Sequence, residues 1–212
     1  MPDAAFNESA QTVRVLSLLD ALAAAGLAPT TARALHEMAY LANVLAPVFD
    51  LSPLDATLLK RNAGPYYPEL QYTTDRLVGR GLVEAIDLSY ELDEADQRYR
   101  IAARYRLVRP MVGPALERYR QVRALEAKFV DELAFAYSSL SDDDQGHVAN
   151  SDARYADVSV DTNGVIDFGQ WAGAEKNFSR NAALAFAPGR LLAPAERLYL
   201  YLDHLQRKAA HG

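Results

Sequence analysis

The side chains able to do chemistry in this chain are few and scattered. There is no cysteine, which removes thiolate nucleophiles, thiolate metal sites and disulfides. The four histidines, His36, His147, His204 and His211, stand in four separate places. None has a second histidine one helical turn away, so no spacing points to a zinc site. Asp142-Asp143-Asp144-Gln145-Gly146 offers oxygen ligands but lacks the alternation and the closing glutamate of a calcium loop, and it reads as a solvated loop. Asp167-Phe168-Gly169 matches the metal-binding triplet of protein kinases letter for letter. No glycine-rich phosphate loop, strand lysine or His-Arg-Asp loop accompanies it, so it reads as the end of a hairpin. With no Gly-x-Ser-x-Gly elbow and no Walker-type loop either, the expectation is a protein that is not an enzyme and holds no cofactor or metal.

One constellation does suggest binding. Arg98, Arg100, Arg104 and Arg106 recur at even spacing, which puts them on one face of a strand. Lys60, Arg61, Arg76 and Arg80 lie around the elements just before it. Arginines so placed can contact phosphates, giving salt-dependent affinity without sequence readout. The alternative is that they pair with Glu84, Asp87, Glu91 or Asp93 of a neighbouring strand. Tyr66, Tyr67 and Tyr72 read as core or turn packing rather than as base-stacking groups.

Charge distribution frames that choice. The net charge over 212 residues is −6, which argues against coating nucleic acid with the whole surface. Residues 97–128 nevertheless carry nine basic against two acidic residues, a net of +7, and residues 129–175 carry one against ten, a net of −9. A basic surface for a polyanion followed by an acidic surface for a protein partner fits this division. So do the solvated faces of unrelated helices. Ala21 to Ala32, which no uncharged run in the chain exceeds in length, is well short of the roughly 20 apolar residues that span a bilayer. The first ten residues carry Asp3 and Glu8 and no basic residue, unlike a secretory signal. A cytoplasmic protein is expected.

Periodicity sets out the elements that must position these groups. Helices are predicted over 9–26, stopped by Gly26, and over 31–46, with Thr30 or Thr31 as N-cap and Pro47 at the end. Ser52-Pro53 predicts a short helix to about Lys60. Pro68 opens a helix to about Val78, and Gly79-Arg80-Gly81 stops it. Leu82 to Ile86 and Arg98 to Val108 alternate as strands. Pro110 precedes a predicted long helix, 112–138. Asp157 to Phe168 reads as a hairpin around Asn163-Gly164, and helices over 172–186 and 194–209 finish the chain.

Helix, turn, helix, Gly-x-Gly-Leu-Val and a two-stranded ribbon is the winged-helix order. The expected fold is mainly α with small antiparallel β. It comprises a winged-helix domain over 1–110, a linking helix over 111–138 and a C-terminal helical part with a β-hairpin over 139–212.

The segments Leu35-His-Glu-Met-Ala-Tyr-Leu-Ala-Asn-Val-Leu-Ala-Pro, Leu58-Leu-Lys-Arg-Asn-Ala-Gly-Pro-Tyr-Tyr-Pro-Glu-Leu and Arg76-Leu-Val-Gly-Arg-Gly-Leu-Val carry a resemblance. With Val165-Ile-Asp-Phe-Gly-Gln-Trp and Asn177-Phe-Ser, it spans roughly residues 10–200. The chain resembles the middle components of bacterial three-component ABC-ATPase systems, including the small subunit of Lamassu-type anti-phage defence. More remotely it is similar to the Panacea antitoxin-like domain. The resemblance implies an accessory subunit seated on an SMC-like or Rad50-like ATPase beside an effector, often a nuclease, in defence against phage or plasmids. It implies no catalytic residue in this chain. A stand-alone winged-helix transcription regulator and an antitoxin-like protein are the alternatives.

Overall fold

Two glycines set the first corners of the molecule. In the computed structural model, which describes residues 4–53, 57–61, 64–93, 98–152, 155–156, 161, 163–168, 178–185 and 192–211, α1 (Ala4–Ala24) ends at Gly26, whose φ is 83°. The Leu27 amide donates to the Leu22 carbonyl and the Gly26 amide to that of Ala23. This double bond pattern uses a left-handed residue to satisfy the last helical carbonyls. The same pattern closes α3 (Pro68–Gly79): Gly81 has φ 70°, and the amides of Leu82 and Gly81 donate to Leu77 and Val78. Pro68 opens α3, as its fixed φ favours.

Between these corners, β1 (Thr30–Thr31) leads into α2 (Ala32–Leu45). The Thr31 hydroxyl caps α2 by accepting from the Ala34 amide at 3.1 Å. Every residue of α2 from Ala34 to Leu45 is buried, so α2 is the central helix. It carries His36, Glu37, Tyr40 and Asn43 into the interior with its apolar side chains.

The predicted helix over 52–60 does not extend through 57–60. Thr57–Arg61 is a strand, β2, flanked by β3 (Gly64–Tyr66) and by β6 (Val165–Asp167), both antiparallel. Pairing with a segment about a hundred residues later overrides the local helix signal of Ser52-Pro53. Of the expected hairpin, the return arm is β6, which pairs with β2, and 157–160, the other predicted arm, lie outside the described residues.

A second sheet joins β1 to β5 (Arg98–Leu107) and β5 to β4 (Val83–Asp93), in the order β1-β5-β4. Val83 and Leu107 are opposite each other and buried, as are Ala103 and Tyr105 further along β5. Between Ile86 and Ser89 the register slips by one residue, and Asp87 there has φ 53°. The ribbon runs on beyond this bulge.

The predicted single helix over 112–138 is two. α4 (Arg109–Val122) stops at Arg123, whose φ and ψ of −122° and 47° are not helical, and α5 (Ala124–Ser138) restarts at once. The Tyr119 hydroxyl donates to Glu126 across the break. The kink lets Leu116 and Tyr119 on one side and Ala127 and Val130 on the other all bury, with both helices against α1.

The chain ends in a 3-10 turn (Val148–Ser151), α6 (Phe178–Ala185) and α7 (Pro194–His211), which packs on α5 and on the 3-10 turn. One cluster of buried apolar residues runs from Val15 through Leu41, Leu133 and Val148 to Leu205, so the hydrophobic core is continuous through the three spans distinguished in the sequence. The protein is mainly helical with small antiparallel sheets. Among the described residues no helix is long and apolar enough to cross a membrane.

Candidate nucleic-acid interface and the buried polar hubs

The eight cations singled out in the sequence fall on two sheets and one helix end. Lys60 and Arg61 lie on β2, each beside an aromatic ring. The Arg61 guanidinium sits 3.7 Å from the Tyr66 ring centre, and the Lys60 ammonium 5.9 Å from that of Tyr155. Arg76 and Arg80, at the end of α3, both pair with Glu8 of α1, Arg80 at 3.5 Å. That contact holds the Glu8 carboxyl below its usual range, chiefly through the hydrogen bond from Arg76.

On the ribbon, Arg106 reaches Glu84 at 2.7 Å, and the two stand opposite each other in the register. Arg104 donates to the Pro29 carbonyl at 3.3 Å and lies 3.9 Å from Asp87. The backbone register puts Arg100 opposite Glu91 and Arg98 opposite Asp93; the side chains of Arg98 and Arg100 are outside the described residues. Residues 83–107 hold four arginines and six acidic residues, a net of −2. Four of those acids, Glu84, Asp87, Glu91 and Asp93, lie on β4 and equal in number the four arginines of β5. Partly exposed pairs of this kind are worth at most about 1 kcal/mol each and open readily, but a phosphate would have to displace an internal carboxylate at Arg104 and Arg106.

Cations without such partners lie elsewhere. Arg118, Arg123 and Lys128, around the break between α4 and α5, are exposed and make no ion pair among the described residues. Their neighbours Arg109 and Arg120 are held by Asp20 of α1, at 2.6 and 2.9 Å, and Arg120 also meets Asp131 at 2.5 Å. The strongly basic segment of the sequence thus divides into ribbon arginines facing acids, two arginines tied to a buried carboxylate, and a small group open to solvent.

Sequence reasoning missed the polar hubs. Asp152, fully buried, accepts from the hydroxyls of Tyr40 at 2.5 Å, Ser179 at 2.9 Å and Tyr201. Burial and the neighbouring Asp152 carboxylate push both tyrosines well above their ordinary range, so they stay neutral donors. Glu37, also fully buried, accepts from the Tyr137 hydroxyl at 2.6 Å, the Gly146 amide at 2.5 Å and the Ala149 amide at 2.7 Å. Burial pushes its carboxyl up to about 7, partly offset by these donors. His36 accepts from the Tyr67 amide at Nδ1 and meets Gln71 Oε1 through Nε2, 3.1 Å away, which is the neutral Nε2–H tautomer.

These groups join α2 to later parts of the chain and are shut off from solvent, so no substrate reaches them directly. His36, Glu37 and Tyr40 are polar letters in a helix buried from Ala34 to Leu45 and mostly apolar, and that conjunction is the signal by which they could have been found; Asp152, after the 3-10 turn, had no such signal. Asp167 closes β6 and Phe168 is buried against Tyr40. Comparison of the chain with protein-family models, with curated proteins and with solved structures finds no match to it.

Proposed function

We propose that this chain is a non-catalytic winged-helix accessory subunit of an SMC-like or Rad50-like ATPase complex in bacterial anti-phage or anti-plasmid defence, and that it works through protein contacts. The observation that carries the emphasis on protein contacts is the facing of ribbon arginines by ribbon acids, Arg106 to Glu84 and Arg104 to Asp87. Support for the winged helix comes from the order α1, β1, α2, α3, β4, β5 together with the sheet order β1-β5-β4. There β2 and β3 are an insertion between the second and third helices. The third helix, the one that would enter a DNA groove, exposes Glu69, Tyr72 and Asp75, and two carboxylates are repelled by phosphate. The ATPase partner follows from the family resemblance.

Affinity purification from the native bacterium followed by mass spectrometry tests this. A large coiled-coil ATPase encoded beside this chain should co-purify at a fixed ratio. Recovery of the chain alone, together with sequence-selective binding of the pure chain to its own promoter, would replace the proposal by a transcription regulator. That second reading keeps Lys60, Arg61, Arg76, Arg80, Arg98, Arg100, Arg104 and Arg106 as phosphate contacts. What favours it is that the ion pairs of Arg104 and Arg106 are about half exposed and cheap to open. A small toxin co-purifying in place of the ATPase would point to the antitoxin reading.

A further inference from the structure

The break at Arg123 brings together two helix faces that the core does not cover. On α4, Met111, Arg118 and Val122 follow one another at helical spacing and share one row; on α5, Leu125, Lys128 and Phe135 do the same. Leu116 and Leu133, on the inward sides of the two helices, are buried. Met111, Val122, Leu125 and Phe135 are 62%, 59%, 52% and 44% exposed. Large apolar side chains left in solvent on adjoining rows mark an interaction surface. A groove of about 320 Å³ runs along α5 from the break, with Ala124, Ala127, Lys128 and Phe135 in its lining. The two alanines leave there the room that larger side chains would fill.

The charges set among these side chains indicate what covers them. Arg118, Arg123 and Lys128 are exposed and make no ion pair among the described residues. The neighbouring acids are largely engaged: Asp131 is bound by Arg120 at 2.5 Å, and Glu126 accepts the Tyr119 hydroxyl at 3.0 Å. Glu117 lies about a quarter turn round α4 from Arg118, off the row, and Glu132, on the α5 row, is half-buried. The corner therefore presents apolar side chains ringed by uncommitted cations, and its complement is apolar side chains ringed by carboxylates. A nucleic acid would set phosphates against Val122 and Leu125 and bury neither. A bilayer surface takes a helix by a continuous apolar face, whereas Arg118 and Lys128 interrupt both rows.

We propose that the α4–α5 corner is the docking face for a different protein, and that the segment it holds is a helix whose apolar row is flanked by carboxylates. The inference rests on the proposal that the chain works through protein contacts, and adds to it the face used and the chemistry of the partner. The partner's apolar row covers Val122 and Leu125 and enters the groove beside Phe135, as an amphipathic helix does in a hydrophobic groove. Its carboxylates meet Arg118, Arg123 and Lys128, which fixes the register while the apolar contacts supply the buried area.

The test is photo-crosslinking in the native bacterium, with the full chain carrying a benzophenone side chain at Val122 or at Leu125 and the captured peptide read by mass spectrometry. Both positions should capture the same segment of another protein, with acidic residues within one helical turn of its apolar row. Arg118→Glu with Arg123→Glu and Lys128→Glu should lower the yield by about tenfold or more. Circular dichroism should be unchanged, because these three side chains are exposed and hold no ion pair among the described residues. Changing the captured carboxylates to lysine should restore the yield against the reversed corner. A captured protein of this chemistry that is not an ATPase would keep the docking face and replace the partner proposed above. An ATPase that co-purifies but is not captured at the corner would do the reverse. Capture of nucleic acid, of lipid, of a second copy of this chain or of a segment without carboxylates would overturn the proposal. So would a yield indifferent to the charge reversal, or no capture at either position.

Discussion

Glu37 and Gly146 are 109 residues apart in sequence, and the amide of one donates to the carboxylate of the other at 2.5 Å. That bond, with those from Tyr137 and Ala149, ties the central helix to the segment following α5. It makes the early and late parts of the chain stabilise one another through a buried titratable group.

Stability should therefore depend on pH near neutrality. The Glu37 carboxyl is raised from 4.5 to about 7 in the folded protein, so between these values the folded state binds the proton and the unfolded state does not. Its contribution is fully present below about 4.5 and is lost as pH rises through 7. The span corresponds to about 3 kcal/mol at most. Urea midpoints measured from pH 5 to pH 8 should fall for the wild type relative to Glu37→Gln. The glutamine amide group can donate to the Tyr137 oxygen, which already accepts from Gly146 at 2.7 Å. Parallel pH profiles for the two proteins would show that Glu37 stays ionised throughout.

Asp152→Ala should lower stability severely, by about 3–5 kcal/mol, because it strands the hydroxyls of Tyr40, Ser179 and Tyr201 in the interior. Asp152→Asn keeps two acceptor lone pairs and should cost less. Thermal unfolding of both variants decides it, and an alanine variant as stable as wild type would mean that the hub is solvated.

Deleting residues 139–212 should not leave a well-packed N-terminal fragment. The deletion uncovers Phe129, Leu133 and Tyr137 of α5, all now fully buried, and leaves Glu37 without its two backbone donors. We expect fragment 1–138 to keep helical circular dichroism but to bind a hydrophobic dye and unfold without a sharp transition. A cooperative transition in this fragment would establish the early part of the chain as an independent unit.

Reversing Arg98, Arg100, Arg104 and Arg106 to Glu should destabilise the ribbon by about 1 kcal/mol per like-charge pair at most, since Glu84 and Asp87 already face two of them. If the ribbon contacts protein and not phosphate, fluorescence anisotropy with a labelled duplex should give the same weak binding, with the same salt slope, for variant and wild type. A slope that falls by several contacts in the variant would instead identify these arginines as phosphate ligands.

Local chemistry made several elements legible in the sequence. Gly26 and Gly81 end helices because only an unhindered residue takes a left-handed φ easily. Thr31 caps α2 because its hydroxyl reaches an amide three residues on, and Pro68 opens α3. Alternation of Tyr99, Ala103, Tyr105 and Leu107 marked β5. Each signal acts over a few residues, so it survives in the sequence.

What only the tertiary structure decided depends on partners far along the chain. Thr57–Arg61 became a strand because Gly64–Tyr66 and Val165–Asp167 offer it backbone partners on both sides, and backbone hydrogen bonds between strands leave no trace in either segment alone. The break at Arg123 follows from α1, which both α4 and α5 bury against. The bulge after Ile86 set which face Tyr90 and Leu92 join. The sequence left open whether the ribbon arginines meet phosphate or neighbouring acids; that Arg106 stands opposite Glu84 came only with the register, because strand pairing, not composition, determines which charges meet.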